Sequence, residues 1–503
     1  MRTSYDALVV GAGIGGIRSA LDLAVAGQKV ALVDKRPSIG GILTQLDYQF
    51  PTDHCGMCKM LPLTERDSSS QFCMRKGLFH KNIDIYLSSE LVGLEGDPGS
   101  FRAELKQHSS FVDPTKCIGC GLCAEVCPVE LPSEFNAGLT TRSAIYLPVP
   151  HAIPNSFTVD LDNCQRCWKC FEECPNDAID FMFDERLDFH ILVADPSPAT
   201  FEDFSEWLKR QNFPLHSTTT GNETIDRLAG SQDDRLLFLD LDLADPGADR
   251  VLLRSLELRP DLTVILLARP EQREQAEELL QQGAREVLYK PVDAKSFVPW
   301  LDKLYMRLVS DKTLEFDIGA VILAAGFECY DPSEMQDVLG YGVHPAVVTS
   351  LEFERMCSSS GPSRAKLERS DGTPVKKIAW LQCVGSRDLK KNADFCSSFC
   401  CMISIKEALL AQKITKGEAE TTIFYMDMRT FGRDFQRYRD QAESSGGVRF
   451  VNSRIHSATP GENPAQVCIE YLDHENQRVQ EEFDMLVLGV GARPPKSMQQ
   501  LAQ

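Results

Sequence analysis

Eighteen cysteines punctuate this 503-residue chain, and eight of them fall into two matching runs. The first is Cys117-Ile-Gly-Cys120-Gly-Leu-Cys123-Ala-Glu-Val-Cys127-Pro128, and the second is Cys164-Gln-Arg-Cys167-Trp-Lys-Cys170-Phe-Glu-Glu-Cys174-Pro175. Both fit C-x2-C-x2-C-x3-C-P. In that pattern three closely spaced thiolates cap three irons of a cubane, and the fourth ligates the neighbouring cluster. Cys117, Cys120, Cys123 and Cys174 are therefore assigned to one 4Fe–4S cluster, and Cys164, Cys167, Cys170 and Cys127 to the other. The proline after each run turns the backbone away. Zinc sites use four ligands in two pairs, a poor match to two complete sets of four. Paired clusters hold single electrons and break no bonds, so the rest of the chain must say what they connect.

A second constellation lies at the N-terminus. The apolar run Ala7–Val10 leads into Gly11-Ala-Gly13-Ile-Gly-Gly16, a helical stretch to about Ala26, and a second apolar run ending at Asp34-Lys35. Strand, tight turn, helix, strand and acid follow one another as a dinucleotide site requires. Gly11 permits the turn, Gly13 lets a pyrophosphate approach, Gly16 lets helix and strand pack, and Asp34 can accept from a ribose hydroxyl. The alternative is a glycine turn that only packs a nucleotide-free sheet. Position at the extreme N-terminus and the following Gly40-Gly41 resemble two-dinucleotide-binding flavoproteins, which favours FAD over NAD. In that superfamily a later strand returns to the flavin domain, and Phe316 to Ala324-Ala325-Gly326 looks like it. Phe483 to Gly491 has similar character and is expected to return there as well.

Where such flavoproteins carry a second glycine-rich turn for NAD(P)H, this chain has Cys383-Val-Gly-Ser-Arg-Asp and then Cys396-Ser-Ser-Phe-Cys400-Cys401 before a helical stretch. Four thiols in so short a space suit a soft metal centre. Buried inert cysteines, or a redox-active thiol at the adjacent pair, are the competing readings. Here the sequence resembles the heterodisulfide reductase A-subunit family, and the resemblance implies that Cys383, Cys396, Cys400 and Cys401 ligate a third 4Fe–4S cluster. Further matches are GGILTQLDYQFPTDHCGMC near position 50, EFNAGLTTRSAIYLPVPHAIP between the ferredoxin runs, and YMDMRTFGRDF near 430. The resemblance covers nearly everything except residues 187–310. Family members usually continue past the Gly-Ala-Arg-Pro-Pro turn into a flavin-contacting strand and helix, so a partner chain, fewer contacts or a vestigial site are all open for the flavin.

Cys55, Cys58 and Cys73 are candidate ligands for a further cluster, with a dithiol or free thiols as the alternative. His54 and His80 are close in sequence, but surface histidines are commoner than ligands. Cys329, Cys357 and Cys468 are isolated and read as packing residues.

From His190 the pattern changes. Ile191–Asp195, Leu236–Asp240, Thr263–Ala268 and Glu286–Lys290-Pro291 read as strands alternating with helices, a doubly wound unit. It resembles response-regulator receiver domains, which makes Asp240 the candidate phospho-acceptor, Asp195 the metal-binding acid and Lys290 the accompanying lysine. Pro196 and Ala268 depart from that pattern, where a second acid and a hydroxyl normally stand. Losing a carboxylate weakens a hard-cation site, so a degenerate receiver used for docking is favoured over a working switch.

The formal net charge of -20 argues against nucleic-acid or anionic-membrane binding, since phosphate contact needs basic surface. No apolar run is long enough to span a bilayer, and no signal peptide is recognisable. A cytoplasmic location is expected, where structural disulfides are rare.

Together these features predict an α/β chain: a thioredoxin-reductase-like two-dinucleotide-binding flavoprotein with an inserted two-cluster ferredoxin domain and an inserted receiver-like doubly wound domain. The expected boundaries are 1–112 (flavin domain, first part), 113–186 (ferredoxin), 187–310 (receiver-like), 311–375 (flavin domain, return), 376–483 (second dinucleotide-like domain with a 4Fe–4S cluster) and 484–503 (return to the flavin domain). The resemblance implies an FAD- and iron–sulfur-dependent oxidoreductase component, with flavin-based electron bifurcation as one mode. It would work in a hetero-oligomeric complex with heterodisulfide reductase B/C-like subunits, hydrogenase- or dehydrogenase-type subunits, or ferredoxin. The competing readings are an NAD(P)H-dependent flavin oxidoreductase resembling the glutamate synthase small subunit, and a redox-linked signalling or assembly scaffold.

Overall fold

The computed structural model describes residues 3–51, 80–150, 152–208, 211–496 and 498. The chain forms two compact units, one of residues 1–110, 117–159 and 312–503, the other of residues 111–116 and 160–311.

In the first unit, strand β1 (Thr3–Val10) enters helix α1 (Ile14–Val25), which leads to β2 (Val30–Val33). β2 is buried along its whole length, as an all-apolar strand in a covered parallel sheet must be. β3 (Ile83–Tyr86) continues the sheet, and β4 (Ser89–Asp97) and β5 (Ser100–Gln107) form an antiparallel ribbon. The strand Lys312–Leu323 then enters between β1 and β5, parallel to β1, with Val10 opposite Leu323. The ferredoxin-type and doubly wound segments are thus insertions between neighbouring strands of one sheet.

A second sheet is parallel throughout and orders its strands 347–349, 485–490, 377–384, 420–425, 448–452. Two sequence expectations are corrected here. Within segment 484–503, Met485–Val490 joins the second sheet and not the flavin-type one, lying between strands 347–349 and 377–384. An all-apolar strand needs cover on both faces, and it is buried at every position there. Segment 311–375 divides for a related reason. Its first strand joins the flavin-type sheet, while Val347–Thr349 and the helix Ser350–Cys357 belong to the second. Thr349 caps that helix in a reciprocal box with Glu352.

Buried charge ties this unit together. Arg355 is fully buried and donates to the Gln45 carbonyl at 2.9 Å and to Asn136 Oδ1 at 3.2 Å, with Phe135 under its guanidinium. Gln45 donates to the carbonyls of Glu134 and Phe135. The EFNAGLTTR motif is therefore a short hairpin closed by an Arg142–Glu134 fork at 2.5 Å and docked on the segment after the glycine turn. Beneath it, Lys406 pairs with Glu354 and donates to the Tyr48 carbonyl, and Glu407 accepts from Trp380 Nε1 at 2.8 Å. Burial and the neighbouring Glu354 hold the Glu407 carboxyl well above the usual carboxylate range.

The second unit carries a five-stranded parallel sheet in the order 215–218, 190–194, 234–240, 263–268, 286–289. Counted along the chain this is 2-1-3-4-5, the order shared by flavodoxin- and receiver-type folds. Strand Leu215–Thr218 is the one that sequence reading missed. It is four residues long, three of them polar, and its clearest signal is the Thr220 cap of the helix Gly221–Gly230 just beyond it. Among the described residues no helix is long and apolar enough to cross a membrane.

Candidate functional site

The glycine turn after β1 is built for close approach. Gly11 has φ +108°, and a Cβ there would fall 2.3 Å from the Ala324 carbonyl oxygen. A Cβ on Gly16 would fall 1.8 Å from the Gly11 oxygen, so α1 packs on the turn only without one. A Cβ on Gly13 would meet nothing within 4 Å. The open space therefore lies at the glycine that a pyrophosphate would face, at the start of a 12-residue helix. Gly41, at φ +58°, packs over the same turn, where a Cβ would lie 3.1 Å from Gly13 Cα. Ala325 and Gly326 follow the return strand, whose Ala324 N–H donates to Val10. Asp34 ends β2 and accepts from the N–H groups of Ala12 at 2.6 Å and Arg36 at 2.8 Å. Its carboxylate is thereby fixed at the turn with acceptor capacity to spare. Lys35 is exposed. These residues fit a dinucleotide.

The two ferredoxin-type runs belong one to each unit and have the same local build. In the first, Gly119 and Gly121 take positive φ; in the second, the corresponding Arg166 and Trp168 do. Exposure repeats as well: Cys120 and Cys167 are exposed, Cys123 and Cys170 buried, and Cys117, Cys127, Cys164 and Cys174 between. Non-glycine residues in the left-handed region carry strain. It is held at Trp168 by Phe181 and Phe183, each 4.9 Å away, and at Arg166 by its bond to the Cys164 carbonyl. Backbone N–H groups already point at sulfur, from Arg166 to Cys164 at 3.3 Å and from Ala178 to Cys174 at 3.4 Å.

The third thiol set sits at the end of strand 377–384 and the start of helix Cys400–Ile414. Cys383 itself has φ +63°. The four thiols are electrostatic neighbours, with Cys400 facing Cys383, Cys401 and Cys396. Burial pushes Cys400 well above the ordinary thiol range and Cys401 up to about 11. Thiols raised in this way become thiolates only around a positive centre, and four sulfurs together suit iron. Gly491 closes the other side; a Cβ there would lie 2.8 Å from Ser386 Cβ, and Ser397 Oγ accepts from the Ala492 N–H. The pocket at the C-terminal end of this sheet is lined by Cys383–Asp388, Tyr425, Arg454 and His456. A cysteine-bearing turn thus stands where a nicotinamide nucleotide's glycine turn would.

In the second unit Lys290 pairs with Asp240 and with Asp195, at 2.7 Å to the latter. Both acids are buried, and Ala268 is fully buried beside them. Burial raises the Asp240 carboxyl above its ordinary value. Cys357 is buried, Cys329 exposed and Cys468 intermediate, while His80 Nδ1 accepts from Asn82 N–H. Cys55, Cys58, Cys73 and His54 lie outside the described residues. Arg387, Asp427 and Arg429, around the third thiol set, carry no individual signal in the sequence, although the motifs that contain them do.

Family models match both regions. One for a 4Fe–4S dicluster domain matches residues 116–179, and one for FAD-dependent oxidoreductases matches residues 6–54. The chain is therefore of the FAD- and iron–sulfur-dependent oxidoreductase class. It is 31% identical to an iron–sulfur A-subunit of the CoB–CoM heterodisulfide reductase of Methanopyrus kandleri, over 98% of this chain and 54% of that one. It is 29% identical to the A-subunit of the H2:CoB–CoM heterodisulfide,ferredoxin reductase of Methanothermobacter marburgensis, over 99% of this chain and 55% of that one. The chain is thus similar along almost its whole length to heterodisulfide reductase A-subunits, and it spans about half the length of the curated relatives it matches. A response regulator receiver domain from Clostridium thermocellum matches 24% of this chain and 98% of that one, at 18% identity and a TM-score of 0.22.

Proposed function

We propose that the chain is an electron-transfer component of a heterodisulfide-reductase-type complex, linking a flavin site to iron–sulfur clusters that face partner subunits. One observation carries the reading. Phe327, directly after the Ala324-Ala325-Gly326 turn of the flavin-type sheet, packs against Phe399, directly before Cys400, with ring centroids 5.1 Å apart. The end of the flavin-type site and the third thiol set are thus joined through two adjacent rings. Gly11, Gly13, Gly16, Asp34, Lys35, Gly41, Ala325 and Gly326 would hold FAD. Cys383, Cys396, Cys400 and Cys401 would hold one cubane, and the two ferredoxin-type runs two more, with Cys174 and Cys127 exchanged between them as their spacing implies. Cys55, Cys58 and Cys73 are offered as ligands of a fourth. When bound, a flavin exchanges electron pairs and single electrons, and the clusters single electrons. The chain's residues supply binding, orientation and exclusion of water. The partners are redox subunits of the kind named for its relatives, ferredoxin among them, in the cytoplasm.

The test is anaerobic purification with native partners, followed by iron, sulfide and flavin counts. About twelve irons per chain are expected from three cubanes, and about sixteen if the Cys55, Cys58 and Cys73 set also holds one, together with one flavin. A count near eight removes the Cys383 set, and absence of flavin removes the proposed link.

The receiver-like unit is proposed as a docking element. Lys290 already bridges both acids, and Pro196 follows Asp195 where a further adjacent acid would help hold a divalent cation. Incubation with acetyl phosphate and magnesium is expected to leave the intact mass unchanged, and a phosphoryl adduct that disappears in Asp240→Asn would restore the switch.

A further inference from the structure

The MDMRT segment after strand 420–425 is a sequence match without an assigned task, and the structure places it against the third thiol set. Asp427 forms ion pairs with two arginines from different elements. Arg387 comes from the turn after Cys383, and Arg429 from the segment itself, the latter at 3.0 Å. Each arginine neighbours a different sulfur: Arg387 lines the same pocket as Cys383, and the Arg429 charge acts on Cys396. The segment itself touches the set, where the Cys401 thiol donates to the Asp427 carbonyl at 4.0 Å, and the Ser398 N–H donates to Cys396 at 3.3 Å. Arg387 lies in the left-handed region at φ +57°, a strained conformation for a non-glycine residue.

We propose that Arg387 and Arg429, clamped by Asp427, are the outer shell of the Cys383–Cys396–Cys400–Cys401 centre and set its reduction potential. The inference rests on the cluster reading above and goes beyond it. Reduction adds a negative charge to a buried centre. N–H donors and guanidinium charge at the ligating sulfurs stabilise that added charge, and so raise the potential. Asp427 keeps both guanidinium groups in place and tempers their charge. It orients two cations that would otherwise repel each other beside the centre. By this account the potential at the flavin end of the chain is fixed by three side chains drawn from two segments some forty residues apart.

The experiment is an EPR-monitored potentiometric titration of the anaerobically purified full chain, with iron counted on every sample. Arg387→Gln and Arg429→Gln are each expected to retain wild-type iron and to lower one cluster midpoint. At a fixed potential near that midpoint the reduced-to-oxidised ratio should fall about tenfold, equivalent to about 59 mV for one electron, while the other midpoints stay put. Arg429→Lys, which keeps the charge but not the fork, should recover part of the shift. Unchanged midpoints at full iron content overturn the inference and leave the cluster reading standing. Loss of iron in Arg429→Gln and Arg429→Lys alike also overturns it, because the arginine is then a clasp and not a tuner. Wild-type iron near eight instead removes the cluster reading itself.

Discussion

Gly13→Ala will keep the fold and lose the flavin, whereas Gly16→Ala will damage both. The two positions lie three residues apart in one turn, yet a methyl group meets different things at each. At Gly16 it would sit 1.8 Å from a backbone oxygen, so α1 must move away from β1. Overpacking of this kind costs about 1–3 kcal/mol or more. Lost from binding, that is about tenfold to a hundredfold in affinity. The melting temperature should fall with the flavin content. At Gly13 the methyl group meets no protein atom within 4 Å, and the backbone there (φ -76°, ψ -174°) suits any residue. Its only collision is with whatever occupies the open space. Bound flavin, read by absorbance after desalting, should drop as far as in Gly16→Ala, with the melting temperature unmoved. If Gly13→Ala retains wild-type flavin, the turn packs the sheet and holds no pyrophosphate.

Cys400→Ser should remove about four irons, one cubane's worth, from the anaerobically purified chain. Cys400 is buried and is the first residue of the helix Cys400–Ile414. A serine hydroxyl is a hard, weakly acidic donor and a poor substitute for thiolate on iron. Cys357→Ser is the matched control, since Cys357 is also buried but belongs to no thiol set; it should leave the iron count alone. Equal iron in the two variants would return Cys383, Cys396, Cys400 and Cys401 to the status of packing residues.

The glycine turn, the two cysteine runs and the third thiol set were legible in sequence because each is local: spacing alone places the groups together. The receiver-like strands ending at Asp195, Asp240 and Lys290 were legible for the same reason, as apolar runs each closed by a charged residue. What sequence misjudged was partnership at a distance. The runs near 320 and 487 are both strongly apolar and both end in small residues, and nothing in such a run says which sheet will bury it. The first pairs with β1 and the second with strand 377–384. Arg387 and Arg429 were unreadable for a similar reason. Each is an ordinary charged residue until the fold brings Asp427 between them. Arg355, buried beneath Gln45 and Asn136, likewise looks like a surface residue in the sequence.

The placement of strand 485–490 also sets an order of events. Until that strand has been synthesised, the second sheet has an unfilled slot between residues 347–349 and 377–384, and Gly491 cannot close over Ser386 and Ser397. All four thiols of the third set are made some ninety residues earlier. At about 5–20 residues per second, they wait several seconds at the ribosome without the wall that shields them. Iron loading at this centre would then wait until residues 485–491 have emerged. The ferredoxin-type loops, whose ligands lie far upstream, are under no such delay.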